Sequence, residues 1–247
     1  MKFFFYHFLP PIIRKTTFIY FFRKLFYKIK YKKVDSRKIY NNWEKINLNR
    51  TALINLAVSK FQKNIVNSDV IYLEIGCNNN ENFNCVSLPV SNKYGVDPVS
   101  GGNIRKTSDD FFEKNKLSFD VIFIDGLHTY QQCQKDIINS LKSLKLNGYI
   151  FVHDLIPTSW EVEHVPRLNG VWAGDVWKVA VELNESKGIE FKIINIDKGV
   201  GIIRKKSNEY EYTKLNSNLL HKTYSDFFDN YFKVMPILEH DEIHKII

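Results

Sequence analysis

Between Phe119 and Val152 the chain spells out one strand, helix, strand unit. Phe119-Asp-Val-Ile-Phe-Ile124 is an apolar run of strand length, and Tyr130, Cys133, Ile137, Ile138, Leu141 and Leu144 then recur at helical spacing. Asn147-Gly148 stops that helix and Tyr149 to Val152 resumes an apolar run. Strands so continuously apolar need cover on both faces, as in a parallel sheet flanked by helices. The crossover between them is expected to be right-handed, which leaves the two strands parallel. Thr129 and Gln132 form a T-x-x-Q pattern suited to capping the start of the helix.

The rest of the chain extends the alternation. Val70 to Ile75, Lys93 to Val96, Ile104 to Thr107, Glu190 to Ile196 and Val200 to Ile203 read as strands, and Asp175 to Lys187 as a helix. The order predicts an α/β fold, doubly wound, with a mostly parallel seven-stranded sheet. Four segments are expected: a basic aromatic arm over 1–38, a helical extension over 39–68, the α/β domain over 69–206 and a helical C-terminal extension over 207–247. Trp43, Ile46, Leu53, Leu56, Ala57 and Phe61 are the candidate buried positions of the first extension. His240 and His244 at i, i+4 do not form H-E-x-x-H and read as part of a solvated terminal helix.

Charge divides unevenly along the chain. Residues 1–38 hold eleven Lys or Arg against Asp35, a net +10 in a chain of net +8, so the other residues carry a net −2. A near-neutral body argues against a nucleic-acid partner, which needs a distributed basic footprint. Within the arm Phe18, Phe22, Leu25, Phe26 and Ile29 share a helical face, with Lys24 and Lys28 opposite. That pattern suits either a peripheral membrane contact through residues 1–31 or packing against protein. No uncharged run reaches the roughly 20 residues of a membrane span. Pro10-Pro11 interrupts the apolar start, so a signal peptide fits poorly. Cys77, Cys85 and Cys133 are odd in number and form no C-x-x-C pair, which fits a reducing compartment. A cytoplasmic protein, peripheral at the inner membrane face, is the expectation.

Ligands of open parallel sheets bind beyond the carboxyl ends of the strands. Four such ends present an acid: Glu74 to Asn80, Asp97, Asp125 to His128, and His153-Asp154. Asp97 follows Glu74-Ile-Gly76 at the spacing at which a carboxylate reaches a ribose. Gly76 lets backbone approach a ligand closely. The turn continues Cys77-Asn78-Asn79-Asn80 and lacks G-x-G-x-x-G, which disfavours a dinucleotide.

Taken together, Glu74-Ile-Gly76, Tyr94-Gly-Val-Asp97-Pro98, Thr107-Ser-Asp-Asp-Phe-Phe112, Phe119 through Tyr130 with its Ile-Asp-Gly-x-His-x-Tyr, and Asn147 through Asp154 resemble the class I S-adenosylmethionine-dependent methyltransferases found among sugar and polysaccharide biosynthesis enzymes. The resemblance spans roughly Asp69 to Arg204. It implies a Rossmann-like fold with S-adenosylmethionine as cofactor, its methionine end near Glu74 and Gly76, its ribose on Asp97, and its adenine near Ser108 and Asp109. Asn78 and Asn80 complete the expected cofactor loop, Asn80 standing where the family usually has Gly.

Asp125 and Asp154 end strands joined by one crossover, so their carboxylates are expected side by side, able to hold Mg²⁺ or Mn²⁺. Methyl transfer to a hydroxyl needs the oxygen deprotonated, and His128, one turn from Asp125, is the expected base, with Asp125 beside it. His153 is expected to face away from Asp154 by strand alternation. Trp172, Asp175 and His153 are the candidate substrate contacts, for a sugar or glycan acceptor. The competing classes are a non-catalytic scaffold on the same fold and a nicotinamide-dependent oxidoreductase.

Overall fold

Apolar runs become strands buried on both faces, and amphipathic segments fill the intervals as helices. The computed structural model describes residues 22, 25–27, 29, 35–64, 69–168 and 170–247. Its main elements are α1 (Arg50–Asn64), β1 (Tyr72–Ile75), α2 (Glu81–Cys85), β2 (Lys93–Val96), α3 (Ser108–Lys114), β3 (Phe119–Ile124), α4 (Tyr130–Ser143) and β4 (Leu144–Val152). There follow α5 (Trp160–Glu163), α6 (Lys178–Glu185), β5 (Ile189–Ile194), β6 (Val200–Lys205), α7 (Asn216–Leu219), α8 (Tyr224–Asp226) and β7 (Ile237–Leu238). The strands form one sheet in the order β2-β1-β3-β4-β6-β5-β7. β2, β1, β3 and β4 are mutually parallel, β6 is antiparallel to β4 and β5, and β7 is parallel to β5. This is the doubly wound, mostly parallel seven-stranded sheet that the sequence predicts.

The membership of the sheet differs from expectation at both ends. Ile104 to Thr107 is no strand: it contributes a single bridge, Val96 to Ile104. Thr107 instead caps α3, its Oγ1 accepting the Asp110 N–H at 3.1 Å, which leaves no length for a ladder. The seventh strand comes from the C-terminal extension, where Ile237–Leu238 pairs along β5 and covers its outer edge. His240–Lys245 is a short 3₁₀ helix rather than an α-helix.

Every residue of β3 is buried. Its Phe119, Ile122 and Ile124 face the layer holding α4 and α6, and its Val121 and Phe123 face α1. α1 turns Leu53, Ile54, Ala57 and Val58 inward. Leu56, expected inside, is 44% exposed, because the inward face runs through Ile54 and Val58.

Both ends of α4 are finished by distant residues. Thr129 makes no side-chain cap, contrary to the T-x-x-Q reading. Asp175 accepts the Tyr130 N–H at 2.7 Å instead, placing a negative charge at the helix N-terminus. At the other end the buried Lys205 donates to the carbonyls of Leu141 at 3.3 Å and Leu144 at 3.0 Å. β4 starts at Leu144, ahead of Asn147-Gly148, so the helix ends before those residues; Asn147 sits at φ +62° inside the strand.

Candidate active site

β1 lies between β2 and β3, so the chain leaves it on both sides and a crevice opens at the carboxyl ends of the strands. A cavity of about 900 Å³ occupies that crevice. Of the seven residues assigned to the cofactor, Gly76, Asn78, Asp97, Ser108 and Asp109 line it, and Glu74 and Asn80 do not.

Gly76 has φ +88°, and a Cβ built on it would lie 2.2 Å from the Asp125 carbonyl oxygen. Only glycine lets the ends of β1 and β3 come this close. Asp97 fastens the surrounding loops: its Oδ2 accepts the Asn78 N–H at 3.0 Å, and its Oδ1 accepts those of Val99 and Ser100, each at 2.8 Å. Asn80 adopts φ +66°, a conformation glycine would take freely and Asn tolerates. Its Oδ1 accepts the Gly102 N–H at 2.6 Å, so it holds the loop rather than lining the cavity.

Glu74 points into the layer beneath. Its Oε2 accepts hydrogen bonds from Tyr72 Oη at 2.6 Å and Asn82 Nδ2 at 2.8 Å. Burial pushes its carboxyl up to about 7, against the opposing pull of those two donors. The folded state therefore keeps a proton that the unfolded chain releases from about pH 4.5, so stability falls as pH rises toward 7. The slope is up to ~1.4 kcal/mol per pH unit in that window. Melting temperatures between pH 5 and 7 are expected to show this decline in the wild type, and Glu74→Gln is expected to make it shallower, leaving the part that the buried carboxyls of Glu163 and Asp136 contribute.

Asp125, His128 and Asp154 converge, one potential ligand atom from each lying within 4.8 Å of the others. β3 and β4 pair in parallel with Ile124 opposite Val152, as expected for adjacent strand ends. His128 Nε2 lies 3.2 Å from Asp125 Oδ1, and Nδ1 lies 2.9 Å from Asp154 Oδ2. Nδ1–H is aimed at the Trp172 carbonyl, 2.8 Å away. Asp154, although near, therefore accepts no well-directed hydrogen bond, and both its oxygens are buried without one. Burial disfavours the imidazolium, yet Asp154 and Asp125 outweigh it and push His128 up to about 10. The same two histidines, His128 and His153, hold both carboxylates well below the usual carboxylate range despite burial.

His153 does not face away as alternation predicts. β4 ends at Val152 and Asp154 turns the chain at φ +66°, so both side chains enter one cluster. His153 Nδ1 is 3.2 Å from Asp125 Oδ1 and 3.5 Å from Asp154 Oδ1. Burial disfavours, and the two carboxylates favour, a second proton on this ring. Arg50 Nη1, however, faces Nε2 at 3.0 Å, and a guanidinium only donates. Asp197 Oδ1 also stands 3.4 Å from Nε2, and against burial Asp154 and Asp125 hold His153 well above its ordinary value.

Trp172 lies on the cavity wall and stacks on His128, the rings 5.2 Å apart and 20° from parallel. Gly174, at φ +65°, brings this segment against the His128 carbonyl, where a Cβ would come within 1.8 Å. Asp175 does not reach the main cavity: besides capping α4 it binds Lys178 Nζ at 2.9 Å and lines a smaller cavity beyond the loop.

Three cavity residues carried no readable signal. Arg50 opens α1, far in sequence from any strand end, and bridges His153 to Asp197 at 3.2 Å. Lys198, at φ +63° in the turn before β6, approaches Asp154 Oδ1 at 3.4 Å. Gln132, read as a cap, donates to Ser108 Oγ at 3.2 Å and Asp109 Oδ1 at 3.1 Å. The Asp197-Lys198-Gly199 turn between two apolar runs was the one available hint.

Residues 95–155 match a protein family described as a methyltransferase domain. Nothing among curated proteins matches the chain. Among solved structures it is similar to a Klebsiella pneumoniae protein assigned as an O-methyltransferase, at 13% identity and TM-score 0.51 over 67% of this chain and 84% of that one. It is also similar to a Podospora anserina methyltransferase bound to SAH, at 16% identity and TM-score 0.46 over 75% and 94%. A third is a Bacillus cereus O-methyltransferase in complex with SAH, at 14% identity and TM-score 0.43 over 66% and 83%. The strand order, the match over residues 95–155 and the likeness to the Klebsiella structure establish a Rossmann-like methyltransferase fold.

Proposed function

We propose that this chain is an S-adenosylmethionine-dependent O-methyltransferase acting on a sugar or glycan hydroxyl. The observation that carries the reading is convergence: Asp125, His128 and Asp154 meet on the wall of the same cavity that Gly76, Asn78 and Asp97 line. The description of residues 95–155 and of the Klebsiella structure supports methyl transfer as the reaction class. Ser108, Asp109 and Trp172 line the same cavity, which supports an adenine side at the first two and a sugar ring against the aromatic third.

The donor set fits a divalent cation. Asp154 is a buried carboxylate with neither oxygen hydrogen-bonded, and Asp125 stands beside it. Mg²⁺ or Mn²⁺ held by Asp125 and Asp154 would lower the pKa of an acceptor hydroxyl. His128 as found here holds a proton at neutral pH, so the base role expected of it has a condition. With both carboxylates committed to a cation, burial remains, and burial returns the imidazole to the range of a proton acceptor. His153, fixed by Arg50, orients Asp125.

Calorimetry on the full chain tests this reading. S-adenosylmethionine is expected to bind and NAD to give no heat. Asp97→Ala is expected to weaken S-adenosylmethionine roughly 30-fold or more, since charged hydrogen bonds are lost and the loops they fasten are released. Silence toward S-adenosylmethionine would favour the scaffold reading, and NAD binding the oxidoreductase.

A further inference from the structure

The described part of the arm is a helix that docks by one edge and turns its apolar surface outward. Phe22, Leu25, Phe26, Tyr27 and Ile29 are helical. Tyr27 packs its ring on His164, the centroids 4.4 Å apart. Leu25, Phe26 and Ile29 remain 42%, 59% and 69% exposed. At about 100° per residue these three fall within an arc of roughly 100°, and Tyr27 lies about 100° beyond Phe26. The contact to the domain and the exposed stripe are thus on different sides of the helix.

Large aromatic and aliphatic side chains presented together mark an interaction surface. The sequence around them states the charge of the partner. Arg23, Lys24, Lys28 and Lys30 are interleaved with the stripe, and residues 1–38 carry a net +10 while the remainder of the chain carries −2. A bilayer containing anionic phospholipid meets both demands, with an acyl boundary for the rings and phosphates for the cations. No helix among the described residues is long and apolar enough to cross a membrane, and the cations of residues 1–38 leave no uncharged run of the roughly 20 residues that a span needs.

We propose that residues 22–29 anchor this protein to the surface of an anionic phospholipid bilayer. The Tyr27 contact ties the anchor to the segment that carries Arg167 and Trp172 on the cavity wall. The cavity mouth is thereby held beside the membrane.

Co-sedimentation of the full chain with vesicles tests the proposal. Binding is expected to equimolar phosphatidylcholine and phosphatidylglycerol, to weaken as salt is raised, and to be nearly absent with phosphatidylcholine alone. Phe26→Asp with Ile29→Asp is expected to lower partitioning roughly a hundredfold, about tenfold per apolar side chain, with the melting temperature unchanged. Lys24→Glu with Lys28→Glu keeps the stripe and is expected to lose the preference for anionic vesicles. A wild-type chain that stays in the supernatant with anionic vesicles overturns the proposal, as does a Phe26→Asp, Ile29→Asp variant that binds as well as wild type. A dimer in light scattering that this variant abolishes, without vesicle binding, also overturns it and assigns the stripe to a second copy of the chain.

Discussion

Replacing Asp154 by Asn is expected to lower methyl transfer roughly a thousandfold, through the loss of several kcal/mol of charge stabilisation at the acceptor oxygen. The backbone should tolerate the change, since Asn accepts the φ of +66° that Asp154 adopts. What disappears is a buried negative charge 2.9 Å from His128 and 3.4 Å from Lys198. In the free protein the amide relieves a carboxylate that has no hydrogen bond, and it also removes the counter-charge of His128. These effects oppose one another, so the melting temperature should move little while turnover collapses. Mn²⁺ binding, followed by calorimetry, should weaken in parallel. Turnover within about threefold of wild type would mean that Asp154 serves neither a cation nor the proton balance of the site.

Gly76→Ala is expected to destabilise the fold and to abolish cofactor binding together. Positive φ costs an L-residue roughly 1–2 kcal/mol. The added Cβ must also displace the Asp125 backbone, whose carbonyl oxygen lies 2.2 Å from the Cβ position. Together these predict about 3–5 kcal/mol of destabilisation, or a fall of roughly 10 °C in melting temperature for a chain of this size. Because β1 and β3 meet at this point, S-adenosylmethionine binding should be lost even at temperatures where the variant remains folded. A variant with unchanged melting temperature and affinity would show that the two strand ends can separate without consequence.

The parts of this protein that were legible in its sequence share a local cause. β1, β3 and β4 announce themselves because a strand covered on both faces must be apolar along most of its length. The acids at their ends are visible because a charge stops such a run. Asp125, His128 and Asp154 could thus be named together, and Gly76 with them. Their protonation could not be named, since it depends on which oxygens face His128 and on Arg50 facing His153.

Glu74 and Asn80 show the limit from the other side. Both stand at positions where the resemblance placed a cofactor, and both side chains turn away from the cavity, Glu74 to Tyr72 and Asn82, Asn80 to Gly102. Position along the chain tells where a residue sits in the strand, but the direction of its side chain is chosen by the donors available around it.

By itself the sequence determined a doubly wound parallel sheet, the carboxyl edge on which its chemistry lies and the acids that edge presents, because periodicity and strand ends are local properties. Tertiary structure alone decided the rest. Ile237–Leu238 closes the sheet because β5 offers an open edge at the right height. Asp175 and Lys205 cap α4, although Thr129 and Gly148 are nearer in sequence, because folding carries a carboxylate and an ammonium to its two ends. Asp154 is left buried and unbonded by the turn that follows β4. Each of these is a pairing between residues distant along the chain, and its energy depends on a distance that no local pattern encodes.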